Sequence, residues 1–144
     1  RIALLTFGAM GSRLVLPPTR GLVAARRALE DLAVGGSTPL AHGLEAACRF
    51  VQHWQRRQRL PVWTVVLSDG RANVPLHTAD PWADALAAAR RLAAVSPDCA
   101  VVDTETGWPR FGRAAELAHV LNAECLALDA VLGRSLSLRR EAAS

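Results

Sequence analysis

Lysine is missing altogether: the 17 basic residues of this 144-residue sequence are all arginine. Without lysine there can be no G-x-x-x-x-G-K-[ST] phosphate-binding loop and no Schiff-base chemistry. Any nucleotide hydrolysis then belongs to another domain or another chain. The arginines fall in small groups, Arg26-Arg27, Arg56-Arg57-Arg59, Arg90-Arg91 and Arg139-Arg140, with no stacking aromatic pattern beside them, which argues against nucleic acid. Most stand near the ends of expected helices, where cations complement the helix dipole, and an acidic protein partner is the next reading. No apolar run approaches the roughly 20 residues of a membrane span. Cysteine is sparse: Cys48, Cys99 and Cys125 form no Cys-x-x-Cys pair, so buried, reduced thiols and a cytoplasmic setting are expected. His42, His53, His77 and His119 lack zinc-ligand spacing. Neither a G-x-S-x-G elbow nor a His–acid pairing stands out, so the usual catalytic arrangements have no candidates here.

What is present is organised around Val62 to Val74. A continuous β-branched run, Val62-Trp63-Thr64-Val65-Val66-Leu67, stops at Ser68-Asp69-Gly70-Arg71. A strand apolar on successive residues is expected to be covered on both faces, as inside a parallel sheet. In open α/β sheets ligands bind beyond the carboxyl ends of the strands, which is where Asp69 falls. Taken alone, Asp69-Gly70 is also an ordinary turn.

The length suits one domain with a real core. Ile2 to Phe7 reads as a buried strand, turning through Gly8-Ala9-Met10-Gly11-Ser12 into an antiparallel Arg13–Leu16 that Pro17-Pro18 ends. Thr19 is the expected N-cap of a helix to about Asp31, burying Leu22, Ala25, Leu29 and Leu32 on one face. Gly35-Gly36-Ser37-Thr38-Pro39-Leu40 then runs into a helix with Thr38 at the N-cap and Pro39 at the first position, closed by the basic stretch His53 to Arg59. After the central strand, Asp80-Pro81 starts a third helix that ends near Ser96-Pro97. Cys99 to Val102 is a strand with a polar exit, Asp103-Thr104-Glu105; Gly107 to Gly112 is a loop. Ala114 to Leu121 forms a fourth helix, Glu124 to Leu128 a last strand, and a weakly amphipathic tail follows. Alternating strands and helices mean α/β, with a mostly parallel sheet covered on both faces.

A hydroxyl from one loop and a carboxylate from a neighbouring strand end are hard oxygen donors, suited to magnesium or manganese. Two such donors leave an ion under-neutralised and open to a partner's carboxylate. That would be a binding mechanism needing no nucleophile in this chain. Thr38 on its own is equally a capping hydroxyl.

Gly35-Gly36-Ser37-Thr38-Pro39-Leu40 followed after one helix by Val65-Val66-Leu67-Ser68-Asp69-Gly70-Arg71-Ala72-Asn73-Val74 resembles the von Willebrand factor A domain. The form it resembles is that of the magnesium chelatase D subunit. Leu14-Val15-Leu16-Pro17-Pro18-Thr19-Arg20, Asp80-Pro81-Trp82 and Val101-Val102-Asp103-Thr104-Glu105 extend the likeness over nearly the whole chain. The resemblance implies a three-layer Rossmann-like fold with one antiparallel edge hairpin, spanning residues 1–129 and followed by a carboxyl-terminal tail at 130–144. It further implies a metal-ion-dependent adhesion site (MIDAS) in which Thr38 and Asp69 ligate Mg2+ or Mn2+. Ser68, Gly70 and Arg71 would shape that loop, and Asp103 and Glu105 would lie at a solvated strand exit. The family's first metal loop, Asp-x-Ser-x-Ser, is not in this sequence. The expectation is therefore a fragment lacking the central strand between Ile2–Phe7 and Val62–Leu67, with upstream sequence before Arg1 and an incomplete metal site that binds its ion weakly or not at all.

By the same resemblance the module is non-catalytic. It would serve an ATP-dependent chelatase that inserts magnesium into protoporphyrin IX in chlorophyll or bacteriochlorophyll biosynthesis. Its partners would be the AAA+ ATPase subunit and the large porphyrin-binding subunit, contacted through an acidic residue. A cobaltochelatase module of cobalamin biosynthesis, or another AAA+ or adhesion-like system, is the alternative. A stand-alone hydrolase using Ser68 or Asp69 is the third reading, without a motif behind it.

Overall fold

The computed structural model describes residues 1–8, 11–32, 35–106, 108 and 110–133. Ala9 and Met10 of the first turn, Gly107 and Pro109 of the late loop, and residues 134–144 of the expected tail lie outside the described residues.

The chain is α/β, as expected. β1 (Ile2–Gly8) and β2 (Gly11–Thr19) form an antiparallel hairpin, while β3 (Thr64–Ser68), β4 (Cys99–Asp103) and β5 (Glu124–Ala127) form a parallel sheet in that order. Between them run α1 (Leu22–Glu30), α2 (Leu40–Gln58), α3 (Pro81–Val95) and α4 (Arg113–Val120), and residues 128–133 are helical. Among the described residues the hairpin is not hydrogen-bonded to the parallel sheet.

Several boundaries differ from the sequence expectation, each for a local reason. Pro17-Pro18 does not end β2. Ile2 pairs with Thr19 and Leu4 with Leu16, so the two prolines sit in a bulge, where a residue without an N–H interrupts no regular ladder. Thr19 does not cap α1: its Oγ1 accepts from the Gly21 N–H at 3.0 Å, and the helix begins three residues later with Gly21 as N-cap. Nor does Thr38 cap α2. Pro39 holds that position, and its carbonyl accepts the first helical bond from the Gly43 N–H at 3.1 Å. By contrast α3 starts as read, with Asp80 Oδ1 accepting from Trp82 and Ala83 N–H and Pro81 in the first turn.

One core joins the sheet to three helices. Leu40, Ala41, Leu44 and Val51 of α2, Ala85, Ala88, Ala89 and Leu92 of α3, and Ala114, Leu117 and Ala118 of α4 meet Val66 and Val101. Side chains alternate along a strand, and the residues of β3 beside Val66 turn the other way. Val65 is 39% and Leu67 58% exposed, so the expected cover on both faces is absent at β3 among the described residues. The apolar face expected for α1 is likewise open, since no α1 residue is buried. The hairpin meets the rest of the molecule on α2, where a Cβ on Gly43 would lie 2.5 Å from Phe7 Cδ1. Only a glycine lets strand and helix approach this closely.

Candidate functional site

The carboxyl ends of β3 and β4 and the amino ends of α2, α3 and α4 share one edge of the molecule. β3 ends at Ser68, 6% exposed, whose Oγ accepts from the Gly70 N–H at 3.1 Å and whose carbonyl accepts from the Thr104 N–H at 3.1 Å. That second bond carries the β3–β4 pairing one residue past the strands. Gly70 is left-handed at φ 75°, and a Cβ there would lie 2.6 Å from Arg113 Cβ, so the turn abuts the start of α4. Asp69 between them is turned outward. Its Oδ1 accepts from the Arg71 N–H at 3.0 Å and its Oδ2 lies 3.3 Å from Arg71 Nε.

Two hydrogen bonds bring the glycine-rich loop to this turn. The Thr38 N–H donates to Asn73 Oδ1 at 2.6 Å, and the Asn73 N–H donates to the Thr38 carbonyl at 3.2 Å. Loops 35 residues apart in sequence are thereby locked in register at the sheet edge. This explains why Thr38 is not a helix cap: its backbone is committed across the site. Asp103 and Glu105 are held within their own loop. Asp103 Oδ1 accepts from the Glu105 N–H at 2.9 Å, and both Glu105 oxygens accept from the Phe111 N–H.

A second layer fixes the far end of the Asp69 loop. Asp84, 3% exposed in the first turn of α3, accepts from the Leu76, His77 and Thr78 N–H groups at 2.7–3.1 Å. Burial alone would raise its pKa, but the three backbone donors outweigh that and hold it well below the usual carboxylate range. Glu45 of α2 takes His77 Nε2 at 3.0 Å together with Arg91 of α3. The His77 hydrogen bond and the Arg91 charge lower the Glu45 pKa against the opposing effect of burial.

Thr38 and Asp69 therefore stand on loops the structure brings together. A hydroxyl and one carboxylate fit a magnesium ion that keeps several of its waters, for Mg2+ is commonly bound by one or two carboxylates and dehydrates reluctantly. Among the described residues no group of three or more His, Cys, Asp or Glu side chains could hold a metal. Asn73, Asp84, Glu45 and His77 were not singled out from sequence for any role here. The one available signal was Asp84 in the first turn of a helix already capped by Asp80. The thiols differ from expectation in part: Cys48 is buried and Cys99 half-buried, but Cys125 is exposed on β5. Burial raises the pKa of each, which disfavours the reactive thiolate. No helix among the described residues is long and apolar enough to cross a membrane.

No protein-family model matches the chain. It is 38% identical over 131 residues to an uncharacterized protein of Mycobacterium tuberculosis, covering 90% of this chain and 20% of that protein. It is 37% identical over 140 residues to the magnesium-chelatase 60 kDa subunit of Cereibacter sphaeroides, covering 94% and 25%. With the magnesium-chelatase 67 kDa subunit of Chlorobaculum tepidum the identity is 30% over 132 residues, covering 84% and 21%. The chain spans between a fifth and a quarter of the length of these relatives. Over most of its own length it is related to a segment of magnesium-chelatase subunits.

Proposed function

We propose that the chain is a metal-dependent interaction module of an ATP-dependent magnesium chelatase, a von Willebrand factor A-type domain of a D-type subunit. The observation that carries this reading is the reciprocal Thr38–Asn73 pairing, which sets a hydroxyl-bearing loop beside the Asp69 turn at the carboxyl edge of a parallel sheet. The similarity to segments of magnesium-chelatase subunits supports the assignment to a chelatase. A Mg2+ or Mn2+ ion at such a site supplies a positive charge with open coordination positions. Thr38 would contribute its hydroxyl and Asp69 its carboxylate, and an acidic residue of the AAA+ subunit or of the porphyrin-binding subunit would complete the coordination. In this reading the chain docks and orients, and magnesium insertion into protoporphyrin IX takes place elsewhere in the complex.

Among the described residues β1 and β3 each have one unpaired edge, and Val65 and Leu67 expose apolar surface beside β3. Unpaired strand edges are templates for a further strand. A strand of the same polypeptide lying between β1 and β3 would join the two sheets and bring its own loop to the Thr38–Asp69 edge.

Calorimetric titration with Mg2+ tests the site, on this chain and on the polypeptide extended upstream. Binding should be lost with Asp69→Ala, kept with Thr38→Ser and lost with Thr38→Val, because only the hydroxyl ligates. Equal binding by the two Thr38 variants, or binding indifferent to Asp69→Ala, would reduce these residues to a loop contact and a turn.

A further inference from the structure

Asp84 has a placement that helix capping does not explain. Asp80 already caps α3, and Asp84 is directed instead at the loop arriving from β3. A carboxylate this buried needs hydrogen-bond partners to remain charged. Three consecutive backbone N–H groups, those of Leu76, His77 and Thr78, meet that need. Convergence of successive N–H groups on one carboxylate also fixes the backbone that carries them. Asn73 lies three residues before Leu76 and is the residue that closes on Thr38. At its other end the loop is fastened by Ser68 to Thr104 on the β4 side. The stretch bearing Asp69 and Asn73 is thus tied down at both ends, with Asp84 as the buried tie.

We infer that Asp84 is a positioning residue: by anchoring Leu76–Thr78 it holds Asn73 against Thr38 and so sets the spacing of the two donor loops. Its effect on ion binding rests on the function proposed above; its effect on the Thr38–Asn73 contact does not.

Amide exchange and Mg2+ calorimetry on the wild-type chain and on Asp84→Asn test this. Asparagine keeps the size but has one acceptor oxygen and turns an NH2 group toward the donors. The Thr38 and Asn73 amides should exchange about ten-fold faster or more, with β4 amides unchanged, and Mg2+ affinity should fall by about ten-fold. Acceleration confined to residues 76–78 overturns the inference, for Asp84 would then stiffen only its own contacts. If Thr38 and Asn73 lose protection but neither protein binds Mg2+, the positioning role stands and the metal reading falls. Should Asp84→Asn fail to fold, exchange of the wild type across a urea series decides the matter. Opening of Thr38, Asn73 and residues 76–78 with one free energy supports the coupling, and separate openings overturn it.

Discussion

The two sides of the molecule are built to different standards. Where α2, α3 and α4 back the parallel sheet, Leu40, Leu92, Leu117, Leu121 and Val101 are fully buried. Away from that layer, Leu22 of α1 is 73%, Leu29 of α1 55% and Leu67 of β3 58% exposed. Apolar burial contributes roughly 25 cal/mol per Å2, so the first side supplies the stability and the second leaves comparable side chains unused. The difference teaches that the α2–α3–α4 layer is a finished core, whereas away from it apolar surface stays open among the described residues. The largest effect expected follows directly. Leu92→Ala should cost about 2–5 kcal/mol in urea unfolding, as for a large-to-small change in a close-packed core. Leu29→Ala should stay within about 0.5 kcal/mol, as at an exposed position. Similar losses at both sites would break the comparison and mean that α1 is covered in solution.

A smaller effect tests the seam between the two sides. Gly43→Ala would place a methyl group 2.5 Å from Phe7 Cδ1. Overpacking of this kind costs about 1–3 kcal/mol, while alanine is favoured over glycine in a helix by about 1 kcal/mol. The net loss should therefore be at most about 2 kcal/mol, and it should fall on the hairpin. Amide exchange should show β1–β2 opening more readily with β3–β5 unchanged. Uniform loss across both sheets would mean that the hairpin is an integral part of the one core.

How legible this was from sequence follows the same division. The long periodic elements, the parallel order around Thr64–Ser68 and the Asp80-Pro81 start could be read, because local pattern and tertiary packing agree there. Where they disagree, the reading failed. Thr38-Pro39 has the composition of a cap followed by a first helical residue, but Asn73, 35 residues away, takes the Thr38 backbone and shifts the helix start. Pro17-Pro18 has the composition of a strand end, but an edge bulge absorbs it. The face of α1 is amphipathic at helical spacing, yet spacing cannot say whether anything lies opposite. Thr38 and Asp69 could be named as a pair only through the resemblance of their two loops to those of a known family. Glu45 was invisible, and Asp84 was marked only by its place in the first turn of an already capped helix, because their partners are backbone groups and side chains brought near by the fold.

The smallest effect concerns the polar rim of the finished side, where Glu45 of α2 holds His77 of the site loop and Arg91 of α3. His77 and Arg91 are 59% and 48% exposed, so solvent screens the cluster and Glu45→Gln should cost only about 1 kcal/mol. Its pH dependence gives it away. The Glu45 pKa is lowered in the fold from an ordinary value of 4.5, so the unfolded chain takes up the proton first as pH falls. The stabilisation is thus fully present above about pH 4.5 and is lost as pH drops through the lower, folded value. Thermal unfolding of wild type and Glu45→Gln across that range should show a gap at neutral pH that closes in acid. A gap that persisted below the folded value would mean that packing of the Glu45 side chain stabilises the rim. The clamp on His77 would then contribute nothing to holding the site loop against the core.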